Sequence, residues 1–162
     1  MEIALRKFED NDISQAIKIW NDVVREGISF PQIDALDEAS GLDFFNSQSH
    51  TGVAVTENND IVGIYILHPN NVGRCGHICN ASFAVKNDFR GYHIGEMLVR
   101  DCMEIAKQIG FKILQFNAVV EKNIVALNLY KKLGFKQLGV IPNGFLSKNG
   151  ELENIIPHYI EL

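Results

Sequence analysis

The residues with the clearest chemical purpose lie in the run Phe83-Ala84-Val85-Lys86-Asn87-Asp88-Phe89-Arg90-Gly91-Tyr92-His93-Ile94-Gly95. An apolar strand enters a tight glycine-containing turn, and the turn opens onto an amphipathic segment from about Glu96 to Ile109. The first N–H groups of a helix have no partner inside it, so a turn of this kind binds anions. Arg90 adds a permanent positive charge on a planar fork of donors, while Gly91 and Gly95 lack the Cβ atoms that would hold a phosphate off the backbone. The ligand implied is a phosphate or pyrophosphate. Two common phosphate loops are excluded, because the stretch has neither a Gly-Lys-Ser/Thr ending nor three glycines in Gly-x-Gly-x-x-Gly spacing.

A second constellation is Asn123-x-x-Ala126-Leu127-x-x-Tyr130-x-x-x-Gly134-Phe135. Asn123 can cap a helix in which Val125, Ala126, Leu129, Tyr130 and Leu133 share a face. Asn123 and Tyr130 are seven residues apart, two turns along one side, so both can face a single extended ligand. A tyrosine hydroxyl there is able to protonate a leaving group; a core aromatic with its hydroxyl at the surface is the other reading.

Fewer residues offer themselves as a base or a metal ligand. The strand Cys75-Gly76-His77-Ile78-Cys79-Asn80-Ala81-Ser82 has no carboxylate, which leaves His77 as the nearest group titrating near neutrality, or else a structural histidine. Cys75, His77 and Cys79 alternate along this strand, but three ligands on one short strand diverge too far for a tetrahedral centre, and no metal is expected. Asn117 interrupts an otherwise apolar strand. Read as a buried amide it needs partners, either an acceptor substrate or a neighbouring backbone group.

The elements that must position these groups follow from periodicity. Ile3 to Phe8 reads as a strand, Asp10-Asn11-Asp12 as a source of capping oxygens, and Ile13 to Arg25 as a helix with Ile13, Ala16, Ile17, Trp20 and Val24 on one face. A weaker helix follows over Asp34 to Asn46, then a hairpin of a strand holding Val53 and Val55 and a strand Ile61 to Leu67, joined by Asn58-Asn59-Asp60. Cys75 to Val85 is a long strand into the anion turn, and Phe111 to Val120 is a mostly buried strand. The helix between them makes a right-handed crossover, so these two strands lie parallel. A strand from Phe135 to Val140, a loop containing Pro142-Asn143-Gly144 and Lys148-Asn149-Gly150, and a closing strand from Ile155 to Leu162 complete the chain.

At 162 residues and 46% hydrophobic composition, residues 1–162 read as a single domain. A net charge of −5 argues against nucleic acid as the main partner. A small polyanion needs only local charge, which Lys86, Arg90, Lys122, Lys131 and Lys132 supply. Three cysteines without secreted-type spacing, no basic and apolar leader, and no apolar run of membrane-spanning length predict a cytoplasmic protein without a membrane partner.

The two motifs together resemble the GCN5-related N-acetyltransferase family. Its acyl-CoA loop reads Arg/Gln-x-x-Gly-x-Gly/Ala after a strand ending in valine, matched by Arg90, Gly95 and Val85, while His93 stands where the family usually has its middle glycine. The family's other hallmark is an Asn-capped helix that bears a tyrosine and ends at Gly-Phe, as from Asn123 to Phe135. The resemblance implies an α/β fold, a mixed twisted sheet of six or seven strands with helices on both faces and acetyl-CoA in a splay between the two parallel strands. It also implies roles. Phe83, Ala84 and Val85 would give main-chain bonds to the cofactor, Arg90, Gly91, Tyr92, His93, Ile94 and Gly95 would hold its pyrophosphate, Asn123 its pantetheine arm, and Tyr130 would protonate the departing thiolate. Many members carry a glutamate base on the strand before the loop, and this chain does not. The reaction implied is direct acetyl transfer from acetyl-CoA to an amine, by analogy that of a small molecule such as an amino acid or its analogue, with Asn117 in the acceptor site. Two alternatives stand beside it: a non-catalytic acyl-CoA-binding module, and a transferase acting on a protein N-terminus or lysine through an acidic groove lined by carboxylates between Glu26 and Asp43. A homodimer is compatible with the sequence.

Overall fold

The computed structural model describes residues 2–162. The alternating segment Ile3–Lys7 forms β1, and the chain then turns through a short 3-10 helix, Asp10–Asp12, into α1, Ile13–Glu26. The oxygens expected to cap α1 go elsewhere. Asp12 accepts two hydrogen bonds from the Arg6 guanidinium, at 2.7 and 2.8 Å, and one from the Glu9 N–H. Helix α1 buries Ile13, Ala16, Ile19, Trp20, Val23 and Val24 and ends at Gly27 in the left-handed conformation that glycine permits. The second helix, α2, starts only at Glu38 and runs to Asn46, because the Asp37 side chain caps it by accepting from the Ser40 N–H.

Strands β2 (His50–Thr56) and β3 (Ile61–Pro69) form the expected hairpin, and β4 (Ile78–Val85) pairs antiparallel with β3 from Pro69↔Cys79 to Gly63↔Val85. Then come α3 (Ile94–Ile109), β5 (Ile113–Val120), α4 (Ile124–Leu133), β6 (Lys136–Gln137), β7 (Ile141–Leu146) and β8 (Leu152–Glu161). All eight strands join one sheet in the order β1-β2-β3-β4-β5-β8-β6, with β7 also on β8. The count exceeds six or seven because Pro142-Asn143-Gly144 is not a loop. These residues sit at an irregularity in β7, between Ile141↔Ile155 and Phe145↔Glu153, where one side of β8 accepts a second short strand.

The two faces of the sheet carry separate cores. On one, α1 and α2 pack Trp20, Phe45 and Val24 against Val53, Ile64, Ile66 and Ala84. On the other, α3 and α4 cover Leu67, Cys79, Ala81, Leu114 and Phe116 with Leu98, Val99, Cys102 and Ala106. Odd positions of β4 therefore face α3 and α4, and even positions face α1 and α2.

Between β4 and β5 the sheet opens. The two strands run parallel but pair only at Ile78↔Ile113 and Cys79↔Leu114, although each continues for six more residues. This gap is the feature that the rest of the fold holds in place.

Candidate active site

The gap has one chemically distinct edge on β4. Lys86 donates its N–H to Val62 of β3, and the Ile78 carbonyl accepts from Asn70 on that same side. In an antiparallel ladder a residue's N–H and C=O point the same way, so the even residues of β4 bond toward β3 and the odd ones toward the gap. Phe83 and Val85 thus present their main-chain groups to the gap, whereas those of Ala84 belong to the β3 side. At Ala81 the N–H is taken by the Asn80 side chain at 2.8 Å.

Beyond Val85 the chain makes a 3-10 turn, Asn87–Phe89, whose bonds end with the Arg90 N–H. The first bond of α3 is Met97 N–H to His93 C=O at 3.1 Å. From Gly91 to Glu96, six successive N–H groups make no hydrogen bond among the described residues. Gly91 has φ 85°, which explains its type. Gly95 is different: an added Cβ would meet only Leu129 at 3.9 Å and Val85 at 4.0 Å, ordinary contacts, and its backbone is helical. Nothing in the chain itself requires glycine there. The position is open on the side where a Cβ would stand.

His93 is not in the first turn of α3 but just before it, with φ 62°, the left-handed conformation. The Arg90 guanidinium is bonded to the Glu26 carboxylate at the end of α1, at 2.7 Å, and remains half-exposed. The pairing of Glu26 with Arg90 was not legible in the sequence, because the two lie 64 residues apart with no local pattern to link them. Lys132 is paired with Glu96 at 2.6 Å and Lys122 with Glu153 at 2.8 Å, while Lys86 lies over the Phe89 ring.

Across the gap, Asn123 caps α4 by accepting from the Ala126 N–H at 3.2 Å, which leaves its amide nitrogen free among the described residues. Tyr130 is half-buried, with its ring 4.5 Å from Phe116, 5.3 Å from Phe135 and 5.6 Å from His158. Its hydroxyl has no partner among the described residues, and burial, with the Cys102 thiol nearby, pushes its pKa well above the ordinary value. It stays protonated. Phe116 also meets Phe83 edge-on at 5.9 Å, so one aromatic contact spans the gap on the α3 and α4 side. His158, unremarked in the sequence, is buried edge-on to Tyr130; its Nδ1 donates to the Ile156 carbonyl at 2.7 Å and its Nε2 is unpartnered. Burial lowers its pKa and keeps it neutral.

Three expectations are corrected. His77 is exposed and precedes β4, and its carbonyl accepts from Lys112 and Ile113, so it lies beyond the closed end of the gap and does not join Tyr130. Cys75 belongs to a 3-10 turn, Gly73–Cys75, instead of alternating with Cys79 on a strand, and no metal-binding group of side chains occurs among the described residues. Asn117 is exposed, not buried, because β5 alternates Leu114 and Phe116 inward with Gln115 and Asn117 outward. Of the carboxylates between Glu26 and Asp43, Glu26 holds Arg90, Asp37 caps α2 and Glu38 accepts from Ser14, while Asp34 and Asp43 are exposed without a side-chain partner among the described residues.

Residues 17–135 match the family model described as Acetyltransferase (GNAT) family. The chain belongs to the GNAT acetyltransferase family. Relatives of this GNAT chain include N-acetyltransferase aca1 of Schizosaccharomyces pombe, 36% identical over 91 residues, 56% of the chain and 44% of that protein. The chain thus spans less than half the length of the yeast relative. Peptidyl-lysine N-acetyltransferase YjaB of Salmonella typhimurium is 29% identical over 96% of the chain and 99% of its own length. Among solved structures, yncA of Salmonella typhimurium, a putative acetyltransferase with its cofactor acetyl-CoA, superposes with a TM-score of 0.92 at 16% identity, over 100% of this chain and 95% of that one. The GNAT fold is therefore shared along the whole chain. No helix of the described residues is long and apolar enough to cross a membrane.

Proposed function

We propose that this GNAT chain transfers an acetyl group from acetyl-CoA to the amine of a small molecule such as an amino acid or its analogue. The observation that carries the reading is the run of six unbonded N–H groups from Gly91 to Glu96, placed at the end of a strand whose gap-facing main chain at Phe83 and Val85 is also unpaired with β5. Pyrophosphate takes the first set, and the pantetheine amides and thioester carbonyl take the second, through Phe83 and Val85. Arg90 leaves Glu26, or shares its fork, to meet the pyrophosphate. Asn123 offers its free amide nitrogen to the arm.

The amine nitrogen attacks the thioester carbon, a C–N bond forms, and the C–S bond breaks. Tyr130 gives its proton to the departing sulfur, and the proton of the acceptor ammonium leaves through solvent, since no carboxylate or histidine of β4 faces the gap. Purified protein with acetyl-CoA and pooled amines should release CoA thiol, and Tyr130→Phe should lower the rate by roughly 10²-fold or more. Thiol release unaffected by Tyr130→Phe removes the acid role. Acetyl-CoA that neither reacts nor raises the melting temperature removes the whole reading. The name of the Salmonella typhimurium relative, a peptidyl-lysine N-acetyltransferase, supports a second reading in which the acceptor is a protein lysine.

A further inference from the structure

Four side-chain amides meet at the foot of the gap, on the face that α1 and α2 cover. Asn80 is the first β4 residue beyond the last backbone pair with β5, and Gln115 and Asn117 project from β5 on the same face. Asn70, in the turn after β3, completes the group; its own N–H is fixed to the Ile78 carbonyl at 2.8 Å. Asn70 Oδ1 accepts from Asn117 Nδ2 at 2.7 Å and from Asn80 Nδ2 at 3.4 Å. Asn117 Oδ1 accepts from Asn70 Nδ2 at 3.2 Å and from Gln115 Nε2 at 3.0 Å.

An amide oxygen has two acceptor positions and an amide nitrogen two hydrogens. The two central oxygens are therefore full. Each of the four nitrogens donates once inside the cluster and keeps one N–H without a partner among the described residues. The cluster carries no charge and contains no carboxylate to hold an isolated ammonium; at its rim Gln115 Oε1 and one position of Asn80 Oδ1, which also takes the Ala81 N–H, are still open as acceptors. The two central amides, Asn70 and Asn117, have only donors left, and their complement is an oxygen.

A ligand whose phosphates lie at Gly91 to Glu96 and whose arm follows β4 back into the gap brings its acyl end to this foot, next to Asn80. We infer that Asn70, Asn80, Gln115 and Asn117 form the acceptor subsite and bind a carboxylate or carbonyl oxygen next to the amine that is acetylated. The acceptor class is an α-amine beside such an oxygen, from a free amino acid or a peptide N-terminus. A lysine side chain or a polyamine, whose nitrogen is remote from any such oxygen, is not matched. The inference rests on the acetyl transfer proposed above.

The test compares acceptors in pairs with acetyl-CoA saturating: amino acids against their decarboxylated amines, peptides with a free N-terminus, and Nα-blocked lysine peptides. The α-amino acid or the free peptide terminus should be preferred by about tenfold or more, and the stronger of the two names the source of the oxygen. Asn117→Ala and Asn117→Ser should raise the acceptor KM and collapse that preference, with the KM for acetyl-CoA unchanged. Equal use of the decarboxylated amines, preference for blocked lysine peptides, or an unchanged preference in both variants overturns the inference and leaves the transferase standing. A titration of amino acids onto the CoA-bound protein separates the other failure: binding that weakens in Asn117→Ala without any turnover keeps the subsite and rejects the transfer.

Discussion

Replacing Gly52 by alanine should destabilise the protein through one clash that reaches the gap. Gly52 stands opposite Tyr65 in the β2–β3 ladder, and an added Cβ would lie 2.6 Å from Tyr65 Cζ and 2.8 Å from its hydroxyl, with Cε1 closer still. Tyr65 is fully buried and donates to Asp101 Oδ2 of α3 at 2.6 Å, so the ring has no solvent to move into. Forcing a methyl into a close-packed core costs about 1–3 kcal/mol, and loosening a hydrogen bond to a charged group about 1.5–3 kcal/mol. The two overlap, because moving the ring is what strains the bond, and a total of about 3 kcal/mol is expected. For a chain of this size that lowers Tm by roughly 6–12 °C, read by circular dichroism or calorimetry. The Tyr65 ring lies 5.8 Å from Phe83, which crosses the gap to Phe116, so acetyl-CoA should also protect the variant less than the wild type. In a Tyr65→Leu background the same substitution should cost less than about 1 kcal/mol, giving a coupling of about 2 kcal/mol. A Tm within about 2 °C of wild type, or an equal cost in both backgrounds, would refute the reasoning.

Two further outcomes follow from other parts of the fold. Burial alone would raise the Asp12 carboxyl, but the Arg6 guanidinium and the Glu9 N–H outweigh it and hold the pKa below the ordinary 3.8. A folded pKa below the unfolded one means that this stabilisation is complete above pH 3.8 and is lost as the pH falls through the folded value. Asp12→Asn should therefore cost ~2 kcal/mol at pH 7, with the gap between the two melting curves closing in acid; a gap independent of pH would count against the pair. Cys75 is exposed, whereas burial pushes Cys79 up to about 12 and Cys102 well above its ordinary value. A disulfide reagent at pH 8 should titrate one thiol in the native protein and all three in denaturant, and fast reaction of a second thiol would mean that the α3 core opens.

Local pattern carried most of the elements, because apolar spacing and caps act within one segment: α1, the β2–β3 hairpin, α3 and the Asn123 cap of α4 stand where the residues placed them. What was not legible depends on residues far apart. The gap itself is a failure of pairing between strands some 35 positions apart, and no run within β4 or β5 announces where their ladder stops. The Glu26 to Arg90 pair is hidden for the same reason. Asn117 is a different case, since the alternation Leu114, Gln115, Phe116, Asn117 was present in the sequence and already placed both amides on the face opposite Phe116. Judging Asn117 by the apolar run around it, instead of by period two, made it buried. The irregularity in β7 disguised a strand as a loop in the same way, for Pro142-Asn143-Gly144 reads as a turn unless β8 is there to pair with Ile141 and Phe145.

His93 shows how an apparent departure in a motif becomes interpretable once its backbone is known. With φ 62° the position is one that glycine occupies without strain, which gives a physical reason for a glycine in that place and not a chemical one. Histidine accepts the same conformation at a cost of roughly 1 kcal/mol. It keeps its N–H in the series from Gly91 to Glu96, and its exposed side chain is not needed to build that series. An anion site made of main-chain N–H groups is indifferent to a side chain as long as the dihedral angles survive. The substitution therefore changes the stability of the turn more than its chemistry, and the site is better recognised by its unbonded N–H groups than by its glycines.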